Sequence, residues 1–445
     1  METKTINIGI IGLGTIGTGV VKILQENQKI IQNRLGAEIK INKIADLDLT
    51  TDRGISLNPA ILTTQAMDII NDPEISVVVE LIGGEEPAAT YILNAIKHGK
   101  NIVTANKALL STRGPEIYQA SYNHKVDVGF EGSVCGGIPV IRAIKDGLSA
   151  NRINLIYGIL NGTANYILTK MSDEGISFQQ VLTEAKKLGY AEADPTLDIN
   201  GKDSTHKLSI LLSLIYRKPF KPDDIYTEGI THIEPVDIEF ARELGYRIKL
   251  LAIFKEENGK IEARVHPTLI PADSLLAHVN GVYNAAFIGG DAVGPTMFYG
   301  QGAGMMPTGS AVVSDIISIS RNILNKSNGQ HIPLFAKNNS TITLKNKTQT
   351  KCKYYLRFSA KDRPGVLSQI SGILGNNNIS ISSVIQRGRQ VEGAVPIFML
   401  TYEAVEKNMD KALQEIDDLL VTLDKTTVVR IEDQFNNVAT ETKRP

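Results

Sequence analysis

The sequence predicts an α/β protein: a parallel sheet covered by helices, an α+β middle domain, and a ferredoxin-like module towards the C-terminal end. Three observations predict it. Over the first 140 residues short, continuous apolar runs alternate with longer amphipathic stretches, as in a sheet buried on both faces. After Pro139 that alternation gives way to a mixture of strands and consecutive helices. From Tyr354 the order strand–helix–strand–strand–helix–strand fits into about 80 residues, the ferredoxin-like arrangement.

Taken in order, the first strands are Ile6–Ile11, Ile39–Ala45, Val77–Leu81, Asn101–Thr104 and Val126–Phe130. Each is a short apolar run. Helical patterns Gly17–Asn33, Pro87–His98 and Gly114–Asn123 lie between them. Beyond Pro139 the strand Ile153–Leu160 precedes helices near Thr163–Ser172, Ser177–Leu188 and Gly201–Tyr216. Strand-like runs follow at Arg247–Lys255, Lys260–Pro267 and Asn280–Gly289. The helix Pro307–Ile323 is entered through a glycine-rich loop, Gly300-Gln301-Gly302-Ala303-Gly304. The boundaries that follow are 1–140 (with 304–325 expected to return to it), 141–303, a polar linker 326–353, a module 354–432, and a flexible tail 433–445.

Lys and Arg total 47 against 48 Asp and Glu. Such a balance offers no concentrated basic face, so neither a nucleic acid nor a membrane surface is expected as a partner. The two cysteines, Cys135 and Cys352, lack neighbours at zinc-ligand spacing, which suits a reducing compartment. A strand beginning at Thr5 leaves no room for a signal peptide, and no apolar run approaches the ~20 residues of a spanning helix. A cytoplasmic protein is expected.

Gly12-Leu13-Gly14-Thr15-Ile16-Gly17 follows the first strand and opens a helix. Glycines there let backbone amides approach a pyrophosphate, and the helix N-terminus adds partial positive charge. With the strand–turn–helix context met, a Rossmann-type NAD(P) site is expected. Strand two ends at Asp46, where an acid accepts from a ribose hydroxyl and repels a 2′-phosphate, favouring NAD. Arg53 is close enough in sequence to take such a phosphate, so NADP stays open.

The run Ala185-Lys186-Lys187-Leu188-Gly189-Tyr190-Ala191-Glu192-Ala193-Asp194-Pro195-Thr196-Leu197-Asp198-Ile199-Asn200-Gly201-Lys202-Asp203-Ser204-Thr205-His206-Lys207 is a helix end, a loop and a new helix. Asp203 and Lys207, four apart, share one helix face. His206 points about 100° away from Lys207 and reads as structural or peripheral. On spacing alone the run is an acid-rich helix start with an ordinary surface ion pair. It is, however, similar to the signature of the homoserine dehydrogenase family: Ala, three residues, Gly, an aromatic, a small residue, then Asp-Pro, Asp, Gly, Asp and Lys. Every one of those positions is filled here.

Two further stretches carry the resemblance, which covers roughly residues 5 to 325. Thr104-Ala105-Asn106-Lys107 resembles the family's lysine motif at the end of a Rossmann strand. Glu131-Gly132-Ser133-Val134-Cys135-Gly136-Gly137-Ile138-Pro139 resembles its hinge-side loop. What the resemblance implies is interconversion of L-aspartate 4-semialdehyde and L-homoserine, with 141–303 serving catalysis and dimerisation in a homo-oligomer, a dimer or tetramer. Lys207 is then the proton-transfer group, and Lys107 orients the substrate oxygen and nicotinamide or shares the proton transfer. Asp203 holds Lys207 or binds the substrate amine, and Asp198 positions the lysine or a water. Glu192 takes the substrate ammonium, with Gly189 adding a backbone contact. Oxygens of Glu131, Val134, Gly136 and Ile138 hold a monovalent cation, Na or K, and Gly302 lies in a loop closing over the cofactor. Cys135, inside the hinge-side loop, reads as a small buried residue rather than a nucleophile. A rival reading, an amino-acid sensor with a vestigial nucleotide domain, predicts loss of Lys107 or Lys207; both are present.

Lys361-Asp362-Arg363-Pro364-Gly365-Val366-Leu367, followed by Asn378-Ile379-Ser380, resembles the ACT domain over about Tyr354–Glu432. Gly365 at a helix start lets amides meet a small ligand's carboxylate. In this family that implies an amino-acid effector, L-threonine, bound near Asp362, Gly365, Val366, Asn378 and Ile379; a module used only for assembly is the alternative.

Overall fold

The structure, a computed structural model, describes residues 4–257, 259–330, 334–335, 342–386 and 393–433. Its first sheet contains β1 (Thr5–Ile11), β2 (Glu38–Ala45), β3 (Leu62–Thr63), β4 (Val77–Glu80), β5 (Asn101–Thr104) and β6 (Val128–Gly129). All pairings are parallel, in the order β3-β2-β1-β4-β5-β6. Strand order therefore reverses between β1 and β4, and a crevice for a ligand opens at their C-terminal ends. The crossovers are α1 (Thr15–Glu26) with α2 (Gln28–Leu35), then α3 (Met67–Ile70), α4 (Ala88–Lys97) and α5 (Lys107–His124). Strands β4 and β5 are buried throughout, which is why they read as unbroken apolar runs.

Next come α6 (Val140–Arg142), a π-helical turn over Ala143–Gly147, β7 (Ile153–Ile159), α7 (Gly162–Glu174), α8 (Phe178–Lys187), α9 (Thr196–Ile199) and α10 (Lys202–Tyr216). After β8 (Tyr226–Thr227) and α11 (Pro235–Glu243) the chain runs through β9 (Tyr246–Glu257), β10 (Lys260–Pro271), β11 (Tyr283–Gly290) and β12 (Gly294–Gln301). Helix α12 (Met305–Leu324) then returns to the first domain. It crosses α1 at paired glycines, since a Cβ on Gly19 would lie 2.3 Å from the Met305 carbonyl and one on Gly309 would lie 3.0 Å from Gly19.

The remaining elements are β13 (Thr343–Leu344), β14 (Lys351–Lys361), α13 (Val366–Asn376), β15 (Ile381–Gln386), β16 (Ala394–Thr401), β17 (Ala404–Val405), α14 (Glu406–Asp417) and β18 (Thr427–Ile431). The order within this module is the ferredoxin-like one. Its sheet is not separate. One path runs β12-β11-β7-β9-β10-β18-β14-β16-β15, with β18 parallel to β10 through Thr268↔Arg430 and Leu269↔Ile431. The same edge of β10 also takes β13 at Lys260–Ile261 and β8 at Arg264–Val265.

Buried ion pairs reinforce this junction. Arg264 meets Glu432 and Glu262, while Arg430 meets Glu406 and, at 2.8 Å, Glu228. Across the sheet Arg357 reaches the fully buried Asp237 at 2.7 Å. Charges taken this far out of water are tolerable only with such partners.

Three departures from the sequence reading have local causes. The stretch 326–353, read as a plain linker, carries β13 and the start of β14. Strand β12 was not expected, and its end falls in the stretch Gly300–Gly304 read as a glycine-rich loop; all eight of its residues are at least partly exposed, so no buried apolar run marks it. Helix α5 starts at Lys107 rather than Gly114, because the Asn106 side chain caps it, accepting from the Leu109 amide at 3.1 Å. The end of the strand expected to reach Arg387, and tail residues 434–445, lie outside the described residues. Among the described residues no helix is long and apolar enough to cross a membrane.

Candidate active site

At the crevice the turn between β1 and α1 has the shape its glycines predict. Gly12 has φ +102°, and a Cβ there would lie 2.8 Å from the Leu81 backbone. A Cβ on Gly17 would lie 2.1 Å from the Gly12 carbonyl, whereas Gly14 has nothing within 4 Å. Two glycines thus close the turn and the third leaves space above it. Gly14 caps α1 with no side-chain hydrogen bond, and the first turn, with Thr15 and Ile16, carries no acid. These features fit the pyrophosphate of a dinucleotide, with the helix dipole favouring its charge.

Asp46, at the end of β2, accepts from the Leu13 amide at 2.5 Å and the Asp48 amide at 2.9 Å. The Arg53 guanidinium stands 3.9 Å from Asp46 and donates to the Asp48 carbonyl at 2.8 Å. Both side chains therefore flank the turn, and a ribose at this edge meets an acid and a cation together.

The lysines meet at the ends of β5 and β7. Thr104 donates to the buried Glu80 carboxylate at 2.7 Å, and Asn106 donates to the Gly84 carbonyl at 2.7 Å. Burial pushes the Glu80 carboxyl up. This scaffold sets Lys107 at the first residue of α5. Its Nζ lies 2.6 Å from one oxygen of Asp203, and Lys207 Nζ lies 2.8 Å from the other. Lys207 also donates to the Leu160 carbonyl at 2.5 Å. Burial pushes the Asp203 carboxyl up, but the Lys207 and Lys107 ammonium groups outweigh it and hold the acid below the usual carboxylate range. Burial likewise pulls the Lys107 ammonium down, but Asp203, with Asp198 and Glu192 farther out, keeps it above the usual lysine range.

Asn161 joins this cluster and was missed from the sequence. Its side-chain nitrogen donates to Asp198 at 2.7 Å and to Asp203 at 2.8 Å, while its oxygen caps α7 by accepting from the Ala164 amide at 2.7 Å. The available signal was an Asn between a strand and a helix, a cap position. Burial, with the nearby Asp203 charge, raises the Asp198 carboxyl. Glu192 and Gly189 stand on the exposed loop after α8, and Glu192 reaches the cluster through its charge on Lys107. Thr163 ties that loop to α7 by donating to the Tyr190 carbonyl at 2.7 Å. Burial pulls the His206 imidazole down, favouring its neutral form.

The loop 131–139 backs the lysines. The Glu131 carboxylate accepts from the Ile141 and Arg142 amides, both at 2.9 Å, and burial together with Asp315 pushes it up to about 7. Its side chain is thus committed to α6, leaving backbone carbonyls as what the loop can offer a cation. Val134, Cys135 and Ile138 are buried. The Ile138 carbonyl already accepts from the Val140 amide at 2.7 Å. Among the described residues no group of three or more His, Cys, Asp and Glu is arranged to hold a metal ion. Burial pushes the Cys135 thiol up to about 11, so it stays protonated. A Cβ on Gly136 would lie 2.5 Å from the Gly302 carbonyl, and the Gly137 amide donates to the Gln301 carbonyl at 3.1 Å. Gly302 is thereby brought against the loop.

In the C-terminal module Gly365 has φ +86° and caps α13 with no side-chain hydrogen bond and nothing within 4 Å of a Cβ. Val366 and Ile379 are 3% exposed and belong to the module's core, so their side chains are not free to contact a ligand. Asn378 takes φ +57°, and the Asp362 amide donates to the Gly393 carbonyl at 2.9 Å.

Comparison with known proteins gives three family matches. The models are homoserine dehydrogenase over residues 139–317, the homoserine dehydrogenase NAD-binding domain over 12–131, and the ACT domain over 354–421. A homoserine dehydrogenase of Neisseria gonorrhoeae is 43% identical over 432 residues, covering 96% of this chain and 99% of its own. A crystal structure of a homoserine dehydrogenase from Thiobacillus denitrificans is similar with a TM-score of 0.90 and 44% identity, covering 97% of this chain and 99% of that one. A hyperthermophilic archaeal homoserine dehydrogenase in complex with NADPH aligns with a TM-score of 0.60 and 26% identity, covering 71% of this chain and 98% of its own.

Proposed function

The chain belongs to the homoserine dehydrogenase family of NAD(P)-dependent oxidoreductases, and from that premise we propose how its residues divide the interconversion of L-aspartate 4-semialdehyde and L-homoserine. The observation that carries the proposal is the pair of lysines bridged by the buried Asp203 at the mouth of the cofactor crevice. When bound, the nicotinamide accepts or supplies the hydride. Lys207, as the free amine once its own proton has passed to solvent, takes the hydroxyl proton as homoserine is oxidised, and as the ammonium it returns that proton as the semialdehyde is reduced, so that no free alkoxide has to form. Lys107, kept charged by Asp203, stabilises the developing oxyanion and orients the nicotinamide. Asp203 fixes both ammonium groups, and Asp198, tied to it through Asn161, positions them. The exposed Glu192 receives the substrate ammonium, with the Gly189 backbone beside it.

For the cofactor, Gly12, Leu13, Gly14, Thr15, Ile16 and Gly17 hold the pyrophosphate, and Gly302 closes over it. Asp46 already accepts two amides and faces Arg53, which supports use of NADP as well as NAD; the archaeal relative bound to NADPH points the same way. Backbone carbonyls of Glu131, Val134, Gly136 and Ile138 would hold a sodium or potassium ion that stiffens the hinge-side loop. The ACT module takes L-threonine near Asp362, Gly365 and Asn378 and lowers activity as feedback on threonine, methionine and isoleucine synthesis, in a dimer or tetramer.

Absorbance at 340 nm with homoserine and either NAD or NADP tests the reaction and ranks the cofactors; no reduction with either refutes it. Initial rates titrated with threonine test the feedback, which a flat response at millimolar concentrations refutes.

A further inference from the structure

Strand β8 presents different faces to two parts of the molecule. It lies along the edge of β10, with Tyr226 opposite Arg264 and Thr227 opposite Val265, and the Glu228 amide donates to the Val265 carbonyl at 2.8 Å. Side chains alternate along a strand, so Tyr226 and Glu228 point one way and Thr227 the other. The first face meets the C-terminal module. Arg430 of β18, 5% exposed, donates to the Glu228 carboxylate at 2.8 Å and to the Tyr226 hydroxyl at 3.1 Å. That hydroxyl donates in turn to Glu228 at 2.7 Å, and Glu406 holds the guanidinium from the module's own side.

The second face meets the segment that carries the catalytic acid. Thr227 Oγ1 donates to the Ile225 carbonyl at 3.1 Å, which leaves its lone pairs for the Thr205 hydroxyl 2.7 Å away. Thr205 is buried in the first turn of α10, two residues after Asp203 and two before Lys207. The chain after β8 keeps to the same segment. The Ile230 amide donates to the Ile199 carbonyl at 2.9 Å, and a Cβ on Gly229 would lie 2.3 Å from that carbonyl. A Cβ on Gly201, the residue that opens α10, would lie 3.1 Å from the Glu228 carbonyl. Residues 227–230 thus run alongside 199–205, the stretch that holds Asp203 between Asp198 and Lys207.

Asp203 takes its opposing charges from Lys207 and Lys107; what β8 supplies is position. A misplacement of 1 Å at a reacting centre costs about 100-fold in rate, so a strand packed this closely against the first turn of α10 bears on turnover. We propose that Arg430 and Thr227 are positioning residues for the reaction: Arg430 holds β8 through Glu228 and Tyr226, and Thr227, on the opposite face, holds the first turn of α10 so that Asp203 meets both lysines. The C-terminal module then contributes to turnover with no effector bound. This rests on the reading above that the two lysines and Asp203 carry the proton transfer.

The test is steady-state oxidation of homoserine, with kcat referred to sites counted by stoichiometric NADPH binding, so that unfolded chains do not enter. Thr227→Val keeps the shape and removes the hydroxyl; kcat should fall about tenfold while the Kd for NADPH stays at the wild-type value. Thr227→Ser returns the hydroxyl and should restore most of kcat. Glu228→Ala frees β8 from Arg430, which keeps Glu406 and is not stranded as a buried cation; kcat should fall about threefold. Combined with Thr227→Val it should add nothing, since both changes cut one line of contact. A valine variant with wild-type kcat per site overturns the proposal, as does a serine variant no faster than valine, which would assign the effect to packing. Losses that multiply in the double variant overturn the link to Arg430. An unchanged kcat in Glu228→Ala overturns that link on its own, whether or not the valine variant folds. A wild type that oxidises no homoserine would instead overturn the reading of the lysine cluster.

Discussion

Replacing Asp203 by Asn would leave Lys107 and Lys207 facing a neutral amide. Their nitrogens lie 2.6 and 2.8 Å from its oxygens. At an effective dielectric of about 20, unit charges that close attract by about 6 kcal/mol, but most of this is offset by removing a 3%-exposed carboxylate from water. Deleting one partner of a buried pair costs about 3–5 kcal/mol. The Lys107 side chain is 43% exposed and can swing into solvent, so the lower figure, about 3 kcal/mol, applies. For a cooperative unit of about 150–250 residues that lowers the apparent melting temperature by about 6–12 °C. With both lysines displaced, kcat should fall about 100-fold or more, while equilibrium binding of the dinucleotide changes little. Because the folded state holds the acid below its usual range, its contribution is complete at neutral pH and fades only as pH falls through that depressed value. The deficit should therefore be equal at pH 6 and pH 8. A variant melting within about 2 °C of wild type with more than a third of its kcat would refute the reasoning.

Lys207→Ala should lower kcat by about 100- to 10,000-fold while dinucleotide binding stays near normal; retained turnover would remove Lys207 from proton transfer. Gly17→Ala drives a Cβ to 2.1 Å from the Gly12 carbonyl, so the Kd for NADPH should rise about tenfold or more, and an unchanged Kd would mean the turn does not carry the pyrophosphate. Glu131 binds its proton more tightly folded than unfolded, so between about 4.5 and about 7 stability should fall as pH rises, by at most about 1.4 kcal/mol per unit, and then level off. Glu131→Gln should remove this share of the slope, leaving a shallower fall in a melting series from pH 5 to 8 from the other raised carboxyls Glu80, Asp198 and Asp315; parallel curves for the two proteins would count against it.

Much of this molecule was legible because its signals are local. The parallel sheet announced itself through buried strands such as Val77–Glu80, and the turn after β1 through glycines, two of which, Gly12 and Gly17, sit where a Cβ would strike backbone. Lys107, Asp203 and Lys207 could be named from motifs, yet their convergence on one carboxylate could not be read from spacing, since Lys107 comes from a separate domain. Asn161 hid because its cap and its bridge to two acids are separate uses of one amide. The pairing of β10 with β18 was invisible for another reason: neither strand's sequence specifies a parallel neighbour so far along the chain.

That pairing bears on how the protein is made. Residues 268–269 of the middle sheet stay unpaired on one edge until residues 430–431 have been synthesised. At about 5–20 residues per second, roughly 10–30 s pass on the ribosome in that state. An open strand edge is a template for a neighbouring chain. Expression at low temperature, or with holding chaperones, should therefore raise the soluble yield of the full chain far more than that of a version with the β10 edge blocked by proline at Leu269, whose carbonyl receives the Glu432 amide on that edge.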